Sequence, residues 1–394
     1  MKKTTGLWRT DHFLLILGIL LIAFNLRPAL ASVGPLVSDI QKSTGLSNGL
    51  LGLLTTLPLI AFGIISTLTP MVTRKLGIGW TLLMAMVLLV LGILLRSLGP
   101  IFTLYFGTLL IGIAIAFGNV LLPGLTKRNF SSNSGLVTSL YSSVMAIGAS
   151  LAAGISVPLA NHGGLGWQGS LAVWAICASV AVLFWLPQVS RLKRAPKNSN
   201  RSTGLKSLGK SKLAWQVALF MGLQSLTFYV VLAWLPSIIQ DRGHDANFAG
   251  WMLSLSQATG ILGSLLIPVL AGRRRDQRSI VLFLVCTELI GLVGLIVPSL
   301  GMVWLWVSLI GFVLGGTFGL ALLFLVLRSR DSDEATSLSG MVQSIGYVIA
   351  ALGPSIFGII FDLVDSWTPA LALLFIMAIL KLLMGLGAAK PGKV

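Results

Sequence analysis

Twelve apolar runs, each about as long as a helix that crosses a bilayer, constrain what this chain can become. They fall at 12–38, 47–72, 78–97, 101–126, 134–160, 168–187, 213–239, 247–271, 279–297, 302–327, 336–361 and 369–389. Hydrocarbon offers no partner to a backbone N–H or C=O, so a lipid-exposed run of ~20 apolar residues is stable there only as a helix. Short turns rich in Gly, Pro, Asn and Ser separate the runs. Composition agrees: 55% of residues are hydrophobic and 10% charged, against about 25% charged in a soluble domain. The expected fold class is an all-α membrane protein with twelve transmembrane helices.

One stretch interrupts the pattern. Residues 188–212, "QVSRLKRAPKNSNRSTGLKSLGKSK", hold eight Lys/Arg and no acid. This basic linker divides a six-helix bundle over 1–187 from a second over 213–394. Of 28 Lys and Arg, 23 gather with both termini and the linker on one side of the runs. Three lie on the other side, Lys42, Arg96 and Arg242, and two inside runs, Arg27 and Lys381. The positive-inside rule then puts both termini in the cytoplasm, as in a bacterial inner-membrane protein. The net charge of +17 is topological, and its expected neighbours are anionic lipid headgroups, not nucleic acid.

Lys2, Lys3 and Arg9, followed by an apolar run reaching Ala29-Leu30-Ala31, imitate a secretory signal. Asn25 and Arg27 interrupt its core, so the stretch is read as a first span. Cys177 and Cys286 sit in apolar runs without metal-ligand spacing and are read as buried small side chains. His12, His162 and His244 stand at span edges or in loops. With no P-loop, no Gly-x-Ser-x-Gly and no His/Cys cluster, neither an enzyme nor a metal or other cofactor is expected.

The chain repeats itself. "TSLYSSVMAIG" at 138–148 matches "TSLSGMVQSIG" at 336–346 in six of eleven positions. "LIG" at 110–112 recurs at 309–311, and "RPALASVGP" (27–35) parallels "YVVLAWLP" (229–236). An offset near half the chain fits two parallel six-helix units, the arrangement of carriers whose site lies at midplane between the repeats. Two such halves joined by a basic loop resemble the major facilitator superfamily. Within it, "NLRPALASVGPLVSDI", "LLTTLPLIAFGIISTLTPMVTRKLG" and "GNVLLPGLTKRNF" resemble the cyanate and nitroimidazole transporter branch (CynX/NimT type). The loop after the second span departs from the superfamily pattern: Arg74-Lys75-Leu76-Gly77 lacks the usual acid.

Arg27 is the residue that most needs a reason. An intramembrane cation is expensive and marks a functional site by default, and its planar fork suits small planar anions. No Asp or Glu lies in the first six runs to neutralise it. Tyr229, opposite Arg27 in the repeat, and Asn119 are expected to complete a substrate pocket. Gln224, Tyr141, Gln257, Gln343 and Tyr347 are further pocket candidates, the last two sharing a helix face at i,i+4. Asn25 points to another face and is read as an interhelical tie. Glu288, the acid nearest mid-span, is the candidate for proton coupling. Lys381 is expected to snorkel. Together these readings predict a monomeric secondary transporter for a small anionic or polar planar solute, a cyanate-like, nitroimidazole-like or small carboxylate molecule. It would work by rocker-switch alternating access. The alternative is a multidrug or antibiotic exporter of the same fold.

Overall fold

The computed structural model describes residues 10–46, 48–161, 163–192, 208–244 and 246–394. Lys2, Lys3, Arg9, His162 and linker residues 193–207 lie outside them. Among the described residues the chain is helical, with two single 3-10 turns and no strand.

The first run is not one helix. Helix α1 (Thr10–Asn25) stops, the chain turns through Leu26 and Arg27, and α2 (Pro28–Ala31) and α3 (Val33–Thr44) follow. Pro28 explains the break: it has no N–H to donate, and its ring excludes the carbonyl four residues back. It stands instead at the first position of α2, where a missing N–H costs nothing. The first half continues through α4 (Asn48–Leu76), α5 (Ile78–Arg96), α6 (Ile101–Phe130), α7 (Ser134–Asn161), α8 (Gly166–Ala172) and α9 (Trp174–Arg191). The second half holds α10 (Lys212–Asp241), α11 (Ala246–Gly272), α12 (Arg278–Ile296), α13 (Val303–Leu327), α14 (Ser332–Val364) and α15 (Thr368–Ala389).

Among the described residues, eleven stretches are long and apolar enough to cross a membrane. One of them, Ile101–Asn161, contains both α6 and α7, which brings the spans to twelve. Large apolar side chains face outward along them: Leu363 is 79% exposed, Phe102 75% and Trp251 68%. In water such a surface would aggregate; in lipid it is solvated.

Contact density divides the chain into two compact units. The first comprises Met1–Ala61, Leu68–Leu122 and Val144–Asn200; the second comprises Phe62–Thr67, Pro123–Ser143 and Arg201–Val394. In the first unit α9 packs on α1 and α5. Trp185 of α9, fully buried, donates its indole N–H to the Gly79 carbonyl at 3.0 Å, and its ring lies against Gly18, where a Cβ would come within 2.9 Å. A separate core joins Val33, Leu36 and Ile40 of α3 to Leu51, Leu54, Leu104, Trp167 and Leu171.

In the second unit α10 packs on α14 and α15, α12 on α13 and α15, and α11 on α13. The α11–α13 crossing depends on glycine. A Cβ on Gly315 would lie 1.8 Å from the Gly260 carbonyl oxygen, and one on Gly263 would lie 2.0 Å from that of Phe312. Small residues let helix backbones touch where lipid supplies no hydrophobic drive to associate. The N-terminal part of α7 joins this unit through serines: Ser143 and Ser264 share a hydrogen bond at 3.1 Å, and Ser142 donates to the Ser264 carbonyl at 3.3 Å.

Candidate functional site

In the first unit the α1–α2 break is gripped from several sides. Asn25, buried, donates its amide to the Leu21 carbonyl at 2.8 Å and to the Cys177 carbonyl of α9 at 3.2 Å. It is the interhelical tie its position suggested. Leu26 seats on Gly118 of α6, where a Cβ would fall 2.5 Å from its methyl. Asn119, the next residue, is buried. Gly148 of α7 lies against the Phe24 carbonyl and the Pro28 ring, at 2.6 and 3.2 Å from a Cβ built there. From α5, Arg96 donates Nη1 to the Ala29 carbonyl at 2.6 Å. Asn25, Leu26, Pro28 and Ala29 are buried, and Arg27 alone among them is half-buried. The break therefore holds the backbone firmly and leaves Arg27 half-exposed. Arg27 and Asn119 each follow in sequence one of the two residues in contact there, Leu26 and Gly118.

In the second unit Gly222 of α10 meets Gly346 of α14, a Cβ on the former falling 3.4 Å from the Cα of the latter. Near it in the chain stand Gln224 of α10 and Gln343 and Tyr347 of α14. Gln224, buried, donates to Ser225 Oγ at 2.7 Å and to Met221 Sδ at 3.3 Å. Gln343 is buried, and its carbonyl oxygen accepts no hydrogen bond among the described residues. The Tyr347 ring packs on Phe62 with centroids 4.7 Å apart. Ser344, the residue after Gln343, donates to the Gly63 carbonyl and accepts from Thr67 at 2.9 Å. Tyr229, half-buried and edge-on to Phe228, stands more than a turn further along α10. Gln257 is half-buried on α11, and Tyr141 is buried on α7.

Three charged or polar residues stand differently from the sequence reading. Lys381 of α15 does not snorkel: it is fully buried, and its ammonium sits 2.6 Å from both carboxylate oxygens of Glu288 on α12. Glu288 is thus half of an ion pair. Arg96, counted on the far side of the runs, ends α5 and is fully buried. Cys286 is exposed, on an apolar helix whose outward face suits lipid. Of these, only the depth of Arg96 had a signal, since it directly closes a nineteen-residue apolar helix. A cleft of about 310 Å³ at the turn after α12, lined by Arg242, His244, Phe248 and Trp304 among others, includes none of the pocket candidates.

Twelve apolar spans among the described residues of an internally repeated chain, with polar side chains set at helix breaks and glycine crossings, define a polytopic carrier. The chain belongs to the Major Facilitator Superfamily, whose sequence profile matches residues 15–354. It is 44% identical to the uncharacterized transporter YycB of Bacillus subtilis (strain 168), covering 97% of this chain and 95% of that protein. It is 38% identical to the 2-nitroimidazole transporter of Escherichia coli (strain K12) over the full length of both. Identity to the cyanate transport protein CynX of the same organism is 30%, covering 88% of this chain and 89% of that protein. In fold it matches the fucose carrier FucP, solved in the outward conformation, with a TM-score of 0.75 at 14% identity, covering 94% of this chain and 98% of that one.

Proposed function

We propose that this protein is a secondary active transporter for a small anionic or polar planar solute: cyanate-like, nitroimidazole-like or a small carboxylate. It works by rocker-switch alternating access in a bacterial inner membrane, with both termini in the cytoplasm. The observation that carries this reading is Arg27, a half-buried arginine on a helix break whose flanking residues are buried, in a half whose six apolar runs contain no acid. Partial solvent access lowers the cost of holding the charge at that depth. A planar fork is matched by a small planar anion or dipole. The relatives named for 2-nitroimidazole and cyanate support a solute of that size. Asn119 accompanies Arg27 in the first unit. In the second unit Gln224, Gln343, Tyr347, Tyr229, Gln257 and Tyr141 are the polar candidates for the rest of the pocket.

Equilibrium binding of cyanate, 2-nitroimidazole and small carboxylates to purified protein tests this. Arg27→Ala should abolish binding of the solute that the wild type takes, and Arg27→Lys should recover little, because the charge stays but the fork is lost. Unchanged binding in Arg27→Ala makes the cation structural and moves the exporter reading ahead. Uptake with and without an imposed pH gradient tests proton coupling, and Glu288→Gln tests whether that carboxylate takes part.

A further inference from the structure

Arg96 is the most costly side chain in the first unit. It is fully buried, and its Nε and Nη2 find no hydrogen-bond partner among the described residues. A buried charge with idle donors destabilises a protein, and an apolar side chain of similar volume would be cheaper. Stability does not explain it. What it does is make one short bond, Nη1 to the Ala29 carbonyl at 2.6 Å.

Ala29 belongs to α2, a helix of four residues that begins one position after Arg27. A helix that short cannot sustain itself, because nucleation costs more than one turn of hydrogen bonds returns. It is held from outside. Arg96 is well placed to hold it, because its own backbone is fixed. Where α5 crosses α6, a Cβ on Gly107 would fall 2.4 Å from the Arg96 amide nitrogen and 2.6 Å from the Gly92 carbonyl oxygen. The two helices touch backbone to backbone there, and the anchor point of the side chain has no room to shift.

We infer that Arg96 is a positioning residue for Arg27: by holding the Ala29 carbonyl it fixes the α1–α2 break and so sets where the Arg27 guanidinium is presented. This rests on the reading of Arg27 as the solute-binding cation. It adds a second arginine whose role is geometric and whose loss harms the site without harming the fold.

The test combines amide hydrogen exchange, melting temperature and cyanate binding on full-length purified protein. In Arg96→Met, amides of residues 29–33 should exchange at least tenfold faster than in wild type. The melting temperature should stay level or rise, and cyanate affinity should fall at least tenfold. Arg96→Lys keeps a cationic donor and should return exchange to within about threefold of wild type. Should Arg96→Met not fold, Arg96→Gln replaces it; its side chain is two bonds too short to reach Ala29, and the same local acceleration is expected. Wild-type exchange at 29–33 in either variant overturns the inference. So does an acceleration spread over the whole unit with a fall in melting temperature, which marks a merely structural arginine. The two readings fail separately. If Arg27→Ala loses cyanate and Arg96→Met keeps both affinity and exchange, only the positioning role falls. If Arg27→Ala binds normally, the Arg27 reading falls, and faster exchange in Arg96→Met still supports the hold on the break.

Discussion

Four charged side chains in the apolar runs are handled in three ways. Arg27 keeps partial exposure, Arg96 donates to a carbonyl, and Lys381 meets Glu288. The last arrangement is the most testable energetically. Removing one partner of a buried pair strands a charge, at about 3–5 kcal/mol, whereas replacing both with apolar residues is often neutral or better. Lys381→Met and Glu288→Met alone should therefore each lower the melting temperature sharply, and the double variant should recover most of the loss. A double variant as unstable as the singles contradicts this account. Outside the spans, the C-terminal end of α13 presents carbonyls that need donors. Lys127 donates to Val326 O at 3.1 Å, and Lys393 to Leu327 O at 2.6 Å and Ser329 O at 2.9 Å. Burial first, then the nearby charges of Lys127 and Arg328, push Lys393 down from 10.5 to about 8, with Glu334 opposing. A lysine lowered on folding binds fewer protons folded than unfolded between those values, so its contribution to stability rises with pH from about 8 to 10.5. Titration of the dimethylated, isotope-labelled lysine by NMR should place Lys393 near 8, and a value near 10.5 removes the effect. Arg27 was visible in the sequence because a charge inside an apolar run stands out. The Glu288–Lys381 pair was not, because the partners are 93 residues apart and no local pattern joins them.

At the scale of elements, hydropathy located the spans but could not say which apolar face meets lipid and which meets protein, since both are equally greasy. Cys286 shows the consequence: read as buried, it faces outward. The break at Pro28, a turn followed by a four-residue helix, depends on contacts with α5, α6 and α7 that no local sequence encodes. Glycines divide in the same way. Gly315 has the Gly260 backbone within 1.8 Å of a built Cβ, whereas Gly154 has nothing within 4 Å. Both read alike in sequence. Gly315→Ala should force α11 and α13 apart and destabilise by about 1–3 kcal/mol, as overpacking does. Gly154→Ala should be neutral or slightly stabilising, since alanine is the better helix former. Thermal unfolding in detergent separates the two, and equal melting temperatures would refute the close crossing.

For the whole molecule, the count of twelve spans and the repeat were legible in the sequence because each rests on long, redundant patterns. The membership shown by the family match follows the same residues. Sidedness rests on charge counting. A cysteine engineered at Asn161, an exposed position at the end of α7, should react with an impermeant thiol reagent added outside intact cells. Labelling only after the cytoplasmic side is opened would reverse the orientation. The central claim is that one intramembrane arginine makes this carrier selective for a small anionic or planar solute. The most direct measurement is uptake of labelled cyanate and 2-nitroimidazole into liposomes containing wild-type protein, Arg27→Ala or Arg27→Lys at matched incorporation. The account predicts that wild type accumulates at least one of them, that Arg27→Ala falls at least a hundredfold, to the rate of empty liposomes, and that Arg27→Lys stays near that floor. Uptake by Arg27→Ala at the wild-type rate would contradict it.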